Sequence, residues 1–303
     1  MKKRLVVLAL AATCAMAEEA GAGWKRPGAE PEAKAAGTIG TALPGSEVSV
    51  TYQYLGLDDQ FGDSIDASGL LVVAGRGRVG RDTTFGASLP IAFVVPERGD
   101  NESLMGNPSL SAEQVVYRGD GMVTTLALTV MAPTLRTFES GEEFAACMLG
   151  TAATHYSIGS FAPQTLTVRP DVRIHRSMDA VEIAFESGVD VWLPVSPGEL
   201  FDDGAGGMLS SFEREDETDW FFHAGILALF LPRGPVSPYG QLTMVYALTN
   251  DSDDEDRVYG FGGGLRFLPD RYFVADVSIE APYGADFEDA VDYFVTARAA
   301  ATF

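Results

Sequence analysis

Residues 164–176 read QTLTVRPDVRIHR and residues 180–194 read AVEIAFESGVDVWLP, with Ser177, Met178 and Asp179 between them. In the first run Leu166, Val168, Pro170, Val172 and Ile174 alternate with Thr165, Thr167, Arg169, Asp171, Arg173 and His175. In the second, Val181, Ile183, Phe185, Val189, Val191 and Leu193 lie opposite Glu182, Glu186 and Asp190. A helix would mix these two sets around its circumference, whereas an extended strand sends successive side chains to opposite faces. The two runs therefore form an antiparallel hairpin. Across it, cations on one polar face lie beside anions on the other. Two settings suit it. In a soluble sandwich the polar face meets water and the apolar face a core; in a membrane barrel the apolar face meets lipid and the charged face lines a lumen.

The remaining sequence favours the barrel. From Gly45 onward twelve strands are expected, at 46–57, 67–78, 83–95, 108–118, 121–133, 164–176, 180–194, 218–232, 236–249, 257–269, 271–282 and 290–303. Pro90 interrupts the third and predicts a bulge there. Connections after the odd-numbered strands are long or acidic, and those after the even-numbered strands are tight turns such as Gly119-Asp120-Gly121. Outer-membrane barrels have this asymmetry, with short periplasmic turns, longer external loops and an even strand count. Many of the runs exceed the about five or six residues usual in globular sheets, and a tilted membrane strand needs about 9–11. Asp219 and His223, Gln241 and Thr243, Arg266, and Asp276, Ser278 and Glu280 alternate with apolar partners as lumen residues would. Tyr52, Tyr54, Trp192, Trp220, Tyr239, Tyr272 and Tyr293 stand near strand ends, where interfacial girdles form.

The fold expected is all-β: one antiparallel transmembrane β-barrel of about twelve strands with long acidic external loops. The chain ends in Phe303, and Tyr293, Val295, Ala297, Ala299 and Ala301 share its face. This resembles the C-terminal signal of bacterial outer-membrane proteins, which implies the barrel assembly machinery as a partner. The stretch FGASLPIAFVVPE, followed by GNPSLSAEQVVYR and LALTVMAPT, resembles the strand–loop–strand core of outer-membrane transporter-like barrels. Among these are the phenol-degradation MetA-pathway proteins. That resemblance implies passage of small, often hydrophobic, molecules.

Composition agrees. The chain has 303 residues, 33 of them Gly and 16 Pro, as strand-and-turn proteins have. Lys2, Lys3 and Arg4, the apolar run Leu5 to Ala12 and the Ala15-Met16-Ala17 site read as a signal peptide over residues 1–17. Residues 18–44 read as a flexible lead-in, and residues 45–303 as the barrel. Cleavage would remove three cations, taking the formal charge from −22 to −22 − 3 = −25. This acidity excludes nucleic acid as a partner. Cys147, between Ala146 and Met148, reads as a small buried side chain.

The candidate lumen-lining residues are Arg169, Asp171, Arg173, His175, Glu182, Glu186 and Asp190 on the hairpin, with Arg76 and Arg266 (and Arg78) as further cations. They either set a transverse field that filters solutes or fill a narrow barrel as a salt-bridge network. In residues 134–163, Ser140, Glu142 and Glu143 precede Phe144, Met148 and Leu149 and predict a capped helix. It either folds into the barrel mouth or rests on the rim. Asp58, Asp59, Asp63 and Asp66, then Glu213, Glu215, Asp216 and Glu217, then Asp251, Asp253, Asp254, Glu255 and Asp256 make the loops either a solvated, repulsive acidic surface or a place for Ca²⁺ or Mg²⁺ to bridge to lipopolysaccharide phosphates. The first is preferred because DSDDED lacks the glycine and distal glutamate of a calcium loop. His155 and Ser157 have the His-x-Ser spacing of outer-membrane phospholipases, without the asparagine which that family places shortly downstream. His155, His175 and His223 have no metal-site spacing. The expectation is a non-enzymatic channel in the bacterial outer membrane, passing small solutes through a charged lumen, with no cofactor or metal. Its partners would be outer-membrane lipid and lipopolysaccharide. The alternatives are a lipid hydrolase using His155 and Ser157, or a structural or adhesive barrel without flux.

Overall fold

Alternation of apolar and polar side chains over 10 to 15 residues makes each expected run a strand with one apolar face to be covered. The computed structural model describes residues 46–57, 65–97, 101–135, 138, 140–154, 156–195, 198–199, 213–214, 218–232, 235–249, 257–268, 272–284 and 291–303. The signal, the lead-in and most of the acidic loop residues lie outside them. Twelve strands form the wall: β1 (Glu47–Leu57), β2 (Ile65–Val79), β3 (Thr83–Pro96), β4 (Ser109–Gly119), β5 (Met122–Met131), β6 (Thr165–Ser177), β7 (Val181–Pro194), β8 (Asp219–Phe230), β9 (Val236–Ala247), β10 (Arg257–Phe267), β11 (Phe273–Tyr283) and β12 (Val291–Thr302). Each pairs antiparallel with its neighbours in sequence. β12 also pairs with β1, from Glu47 opposite Thr302 to Leu57 opposite Val291. That pairing closes the sheet, so the wall has no free edge to satisfy in lipid.

The direction of the faces follows from exposure. Val172, Phe185, Ile226, Leu242, Phe261, Val277 and Ile279, on six different strands, are 40–57% exposed. Between them Asp171, Glu186, His223, Gln241, Thr243, Asp276, Ser278 and Glu280 are buried. An apolar surface of this extent in water would aggregate; in a bilayer it is the matching surface. The hydrocarbon-facing side is therefore the outside of the barrel. Exposed aromatics mark both rims. Tyr54, Trp220, Tyr259, Tyr283 and Tyr293 stand at the long-loop end, with Phe85, Phe230, Phe267, Tyr272 and Phe303 at the short-turn end.

Some details differ from expectation. Trp192 and Tyr239 are not girdle residues. They share strand parity with Asp190 and Gln241 and point inward, Tyr239 being buried and the Trp192 ring lying tilted with its centre 4.6 Å from that of Phe221. Pro90 makes no bulge, because the β2–β3 register runs unbroken through Val72 opposite Pro90. The Pro90 carbonyl accepts from the Gly106 amide. Its missing N–H points the same way, to where the neighbouring chain passes from a short strand (Glu102–Met105) to β4 and the ladder is already interrupted. That short strand and a two-residue ribbon (Gly198–Glu199 with Glu213–Arg214) lie in segments expected to be loops.

Candidate functional site

The interior is occupied. Between β5 and β6 the chain enters the long-loop end of the barrel as helix α1 (Gly141–Ala153) and a 3₁₀ turn (Ile158–Phe161). Ser140 caps α1, its Oγ accepting the Glu143 amide at 3.1 Å, and Glu142 and Glu143 sit in the first turn. Ala146, Cys147, Ala152 and Ala153 are buried with Phe161 against Leu55, Leu70, Ala92 and Phe294, inward residues of β1, β2, β3 and β12. Of the two positions open to this helix, it takes the mouth rather than the rim. Small side chains allow the close approach, and a Cβ at Gly150 would meet the Phe161 ring at 2.8 Å. The Cys147 thiol donates to the Phe161 carbonyl at 3.2 Å, and burial pushes its pKa up to about 12.

One side chain holds both stems of this plug. Asn107 Nδ2 donates to the carbonyls of Gly159 at 3.0 Å and Ala162 at 2.7 Å. Its Oδ1 accepts the amides of Thr134 at 3.0 Å and Leu135 at 3.2 Å. Beyond the plug, Tyr156 reaches the charged wall. Arg169 Nη1 donates to its carbonyl at 2.7 Å, the guanidinium lies 4.9 Å from its ring centre, and the His223 ring meets it edge-to-face at 5.3 Å.

Below Tyr156 most of the inward charges among the described residues fall into two ion-pair clusters. In the first, Arg169 contacts Asp171 at 3.1 Å and Glu186 at 2.9 Å, and stands 3.9 Å from Asp190 Oδ1. Arg173 contacts Asp171 at 3.4 Å, bonds Glu113, and places Nε 2.7 Å from Glu186 Oε2, a close ionic contact without hydrogen-bond alignment. Arg76 joins through Glu113 at 3.9 Å. His223 Nε2 stands 2.7 Å from Asp171 Oδ1 and Nδ1 3.1 Å from Asp190 Oδ2. Gly188 makes room for this, since a Cβ there would lie 2.5 Å from Asp171 Oδ1 and 2.8 Å from His223 Cε1. The second cluster links Arg266 to Asp276 at 2.8 Å and Arg298 to Asp276 at 3.1 Å, and Arg298 also pairs with Glu47.

Arg169, Asp171, Arg173, Glu186, Asp190 and Arg76 thus come together. Arg266 lies in the other cluster, and His175 and Glu182 form a separate pair at 3.5 Å beside the β6–β7 turn. Arg78 is exposed at the short-turn end, donating to the Arg81 carbonyl. The hairpin reading missed Glu113, Arg298, Asn107 and Tyr156. Asp171, Glu186 and His223 offer three atoms within 4.8 Å of one another, but Arg169 and Arg173 already bind these carboxylates, and the donor set reads as an ion-pair network rather than a metal centre. Ser157 Oγ faces Ser160 Oγ at 3.4 Å; His155 lies outside the described residues.

No protein-family model matches the sequence, and no curated protein matches it. Solved structures do. The crystal structure of an outer membrane channel from Pseudomonas putida F1 aligns with a TM-score of 0.57 at 13% identity, over 86% of this chain and 97% of that one. The NanC porin aligns with a TM-score of 0.51 at 7% identity, over 85% of this chain and 98% of its own. At such identities the likeness is one of fold. Together with the apolar exterior, it makes the fold a transmembrane β-barrel of the kind that outer-membrane channels have.

Proposed function

We propose that the protein is an outer-membrane channel for small solutes, closed in this conformation by the plug that carries α1. The observation that supports this reading is a barrel wall with charged and polar side chains over much of its inner face, whose long-loop mouth is filled by a separate segment rather than by the wall itself. A barrel built only as an anchor gains nothing from burying so many charges, each of which needs a partner once removed from water. Most of the inward charges are engaged in ion pairs, which leaves little free charge to select solutes by sign. The resemblance to the phenol-degradation MetA-pathway group supports small, often hydrophobic, cargo. Phe303, exposed on the outer face beside β12, suits recognition by the barrel assembly machinery, and the aromatic rims suit outer-membrane lipid and lipopolysaccharide as surroundings.

A second reading, a barrel without flux, has one observation in its favour: His223 and Arg266 are wholly inaccessible to water. Planar-bilayer conductance separates the two. A variant with residues 140–156 replaced by a short Gly/Ser linker should show unitary conductance well above that of the full protein. If both stay silent while still migrating as folded barrels, the protein is a barrel without flux.

A further inference from the structure

The first cluster contains four carboxylates, those of Glu113, Asp171, Glu186 and Asp190, and three guanidiniums, those of Arg76, Arg169 and Arg173. The second contains two of each, Glu47 and Asp276 with Arg266 and Arg298. Counted by these ion pairs, the second is neutral and the first lacks one positive charge. His223 is the remaining titratable member, and both its ring nitrogens face carboxylate oxygens at hydrogen-bond distance. An ionised carboxylate only accepts, so both contacts are hydrogen bonds only if both nitrogens carry hydrogen. Among the described residues no other charged group pairs with its ring. Asp171 and Arg169 face it from β6, Asp190 and Glu186 from β7. Val245 lies opposite on β9, Phe221 and Gly225 flank it on β8, and Tyr156 covers it from the plug.

We propose that His223 is an imidazolium that latches the plug, and that removing its charge lets the Tyr156 end go. The route is through Arg169. With His223 charged, Asp190 is satisfied through Oδ2 alone, and its Oδ1, in a wholly buried side chain, has no hydrogen-bond partner. Arg169 Nε is the cation standing next to it, at 3.9 Å. Once His223 no longer compensates Asp190, that carboxylate draws Arg169 toward it. The bond from Arg169 Nη1 to the Tyr156 carbonyl and the guanidinium–ring contact then break. The stems stay pinned by Asn107 while the deep end swings free, which makes the segment a gate hinged at one end and latched at the other. The effect on flux rests on the channel reading; the latch does not.

Cys147 on α1 reports the latch directly, because its thiol is buried between the plug and the barrel wall. In a Cys14→Ser background, His223→Gln should raise the rate of maleimide labelling of Cys147 about tenfold or more at fixed pH, as expected for local opening. His223→Gln with Asp190→Asn removes one charge of each sign and should return the rate to that of the parent. A His223→Gln rate equal to the parent's overturns the proposal, and so does a double variant as reactive as the single one. In the unsubstituted protein, ¹⁵N resonances of His223 should show two protonated ring nitrogens; a neutral ring overturns the proposal even where the variants fail to fold. These readouts do not depend on conduction, so a silent plug-shortened barrel would refute the channel and leave the latch standing.

Discussion

Tyr156 shows how much of the interior depends on placement of single groups. Its ring lies against Arg169 and His223 and its carbonyl accepts from Arg169, yet its hydroxyl is buried without a partner. A buried hydroxyl left unpaired costs about 1–3 kcal/mol, so the tyrosine stays for its ring and backbone rather than its oxygen. Tyr156→Phe should keep Cys147 shielded and unfold in urea at equal or higher free energy, by about 1 kcal/mol; a clear loss would mean that the hydroxyl has a partner in solution. At this scale the sequence is legible only between adjacent strands. Arg173 opposite Glu186 follows from the hairpin register. The two carboxylates on His223 come from two strands and the ring over it from a loop, and no local periodicity places them.

The plug is an element that the sequence half describes. Ser140 and the acidic first turn specify where α1 begins, by ordinary capping physics. Nothing in that segment says whether it lies in the mouth or on the rim, because α1 is short of large apolar residues and its burial is decided by what surrounds it. Asn107 decides it. A primary amide offers two donors and an acceptor oxygen with two lone pairs, enough to satisfy backbone groups from both stems at once. Asn107→Ala takes from the Leu135 amide and the Ala162 carbonyl, both in buried residues, the partner shown for them. It should cost about 2–4 kcal/mol in urea unfolding. It should also speed Cys147 labelling, with the barrel strands retained by circular dichroism. Retained protection of Cys147 would place the hold on the plug elsewhere.

At the scale of the whole molecule, the wall is stabilised by a solvent that the chain does not contain. Phe185, Ile226 and Leu242 sit on the outside because hydrocarbon, not protein, is their partner. Phe185→Arg, near the middle of β7, should therefore lose about 2–4 kcal/mol in folding into lipid vesicles. Followed by tryptophan fluorescence, a change near zero would mean that this face does not meet hydrocarbon. The twelve strands, their faces and the alternation of long and short connections follow from the sequence alone, because a period of two and a turn are local properties. Clusters that span the barrel closure are not local: Arg298 meets Glu47 across 251 residues of chain, a contact that exists only once β12 lies beside β1. The sequence by itself determined a membrane barrel with its charges turned inward. Whether that interior is open or filled, and which acid each base meets, was decided only when closure and the inserted plug brought distant residues together inside the wall.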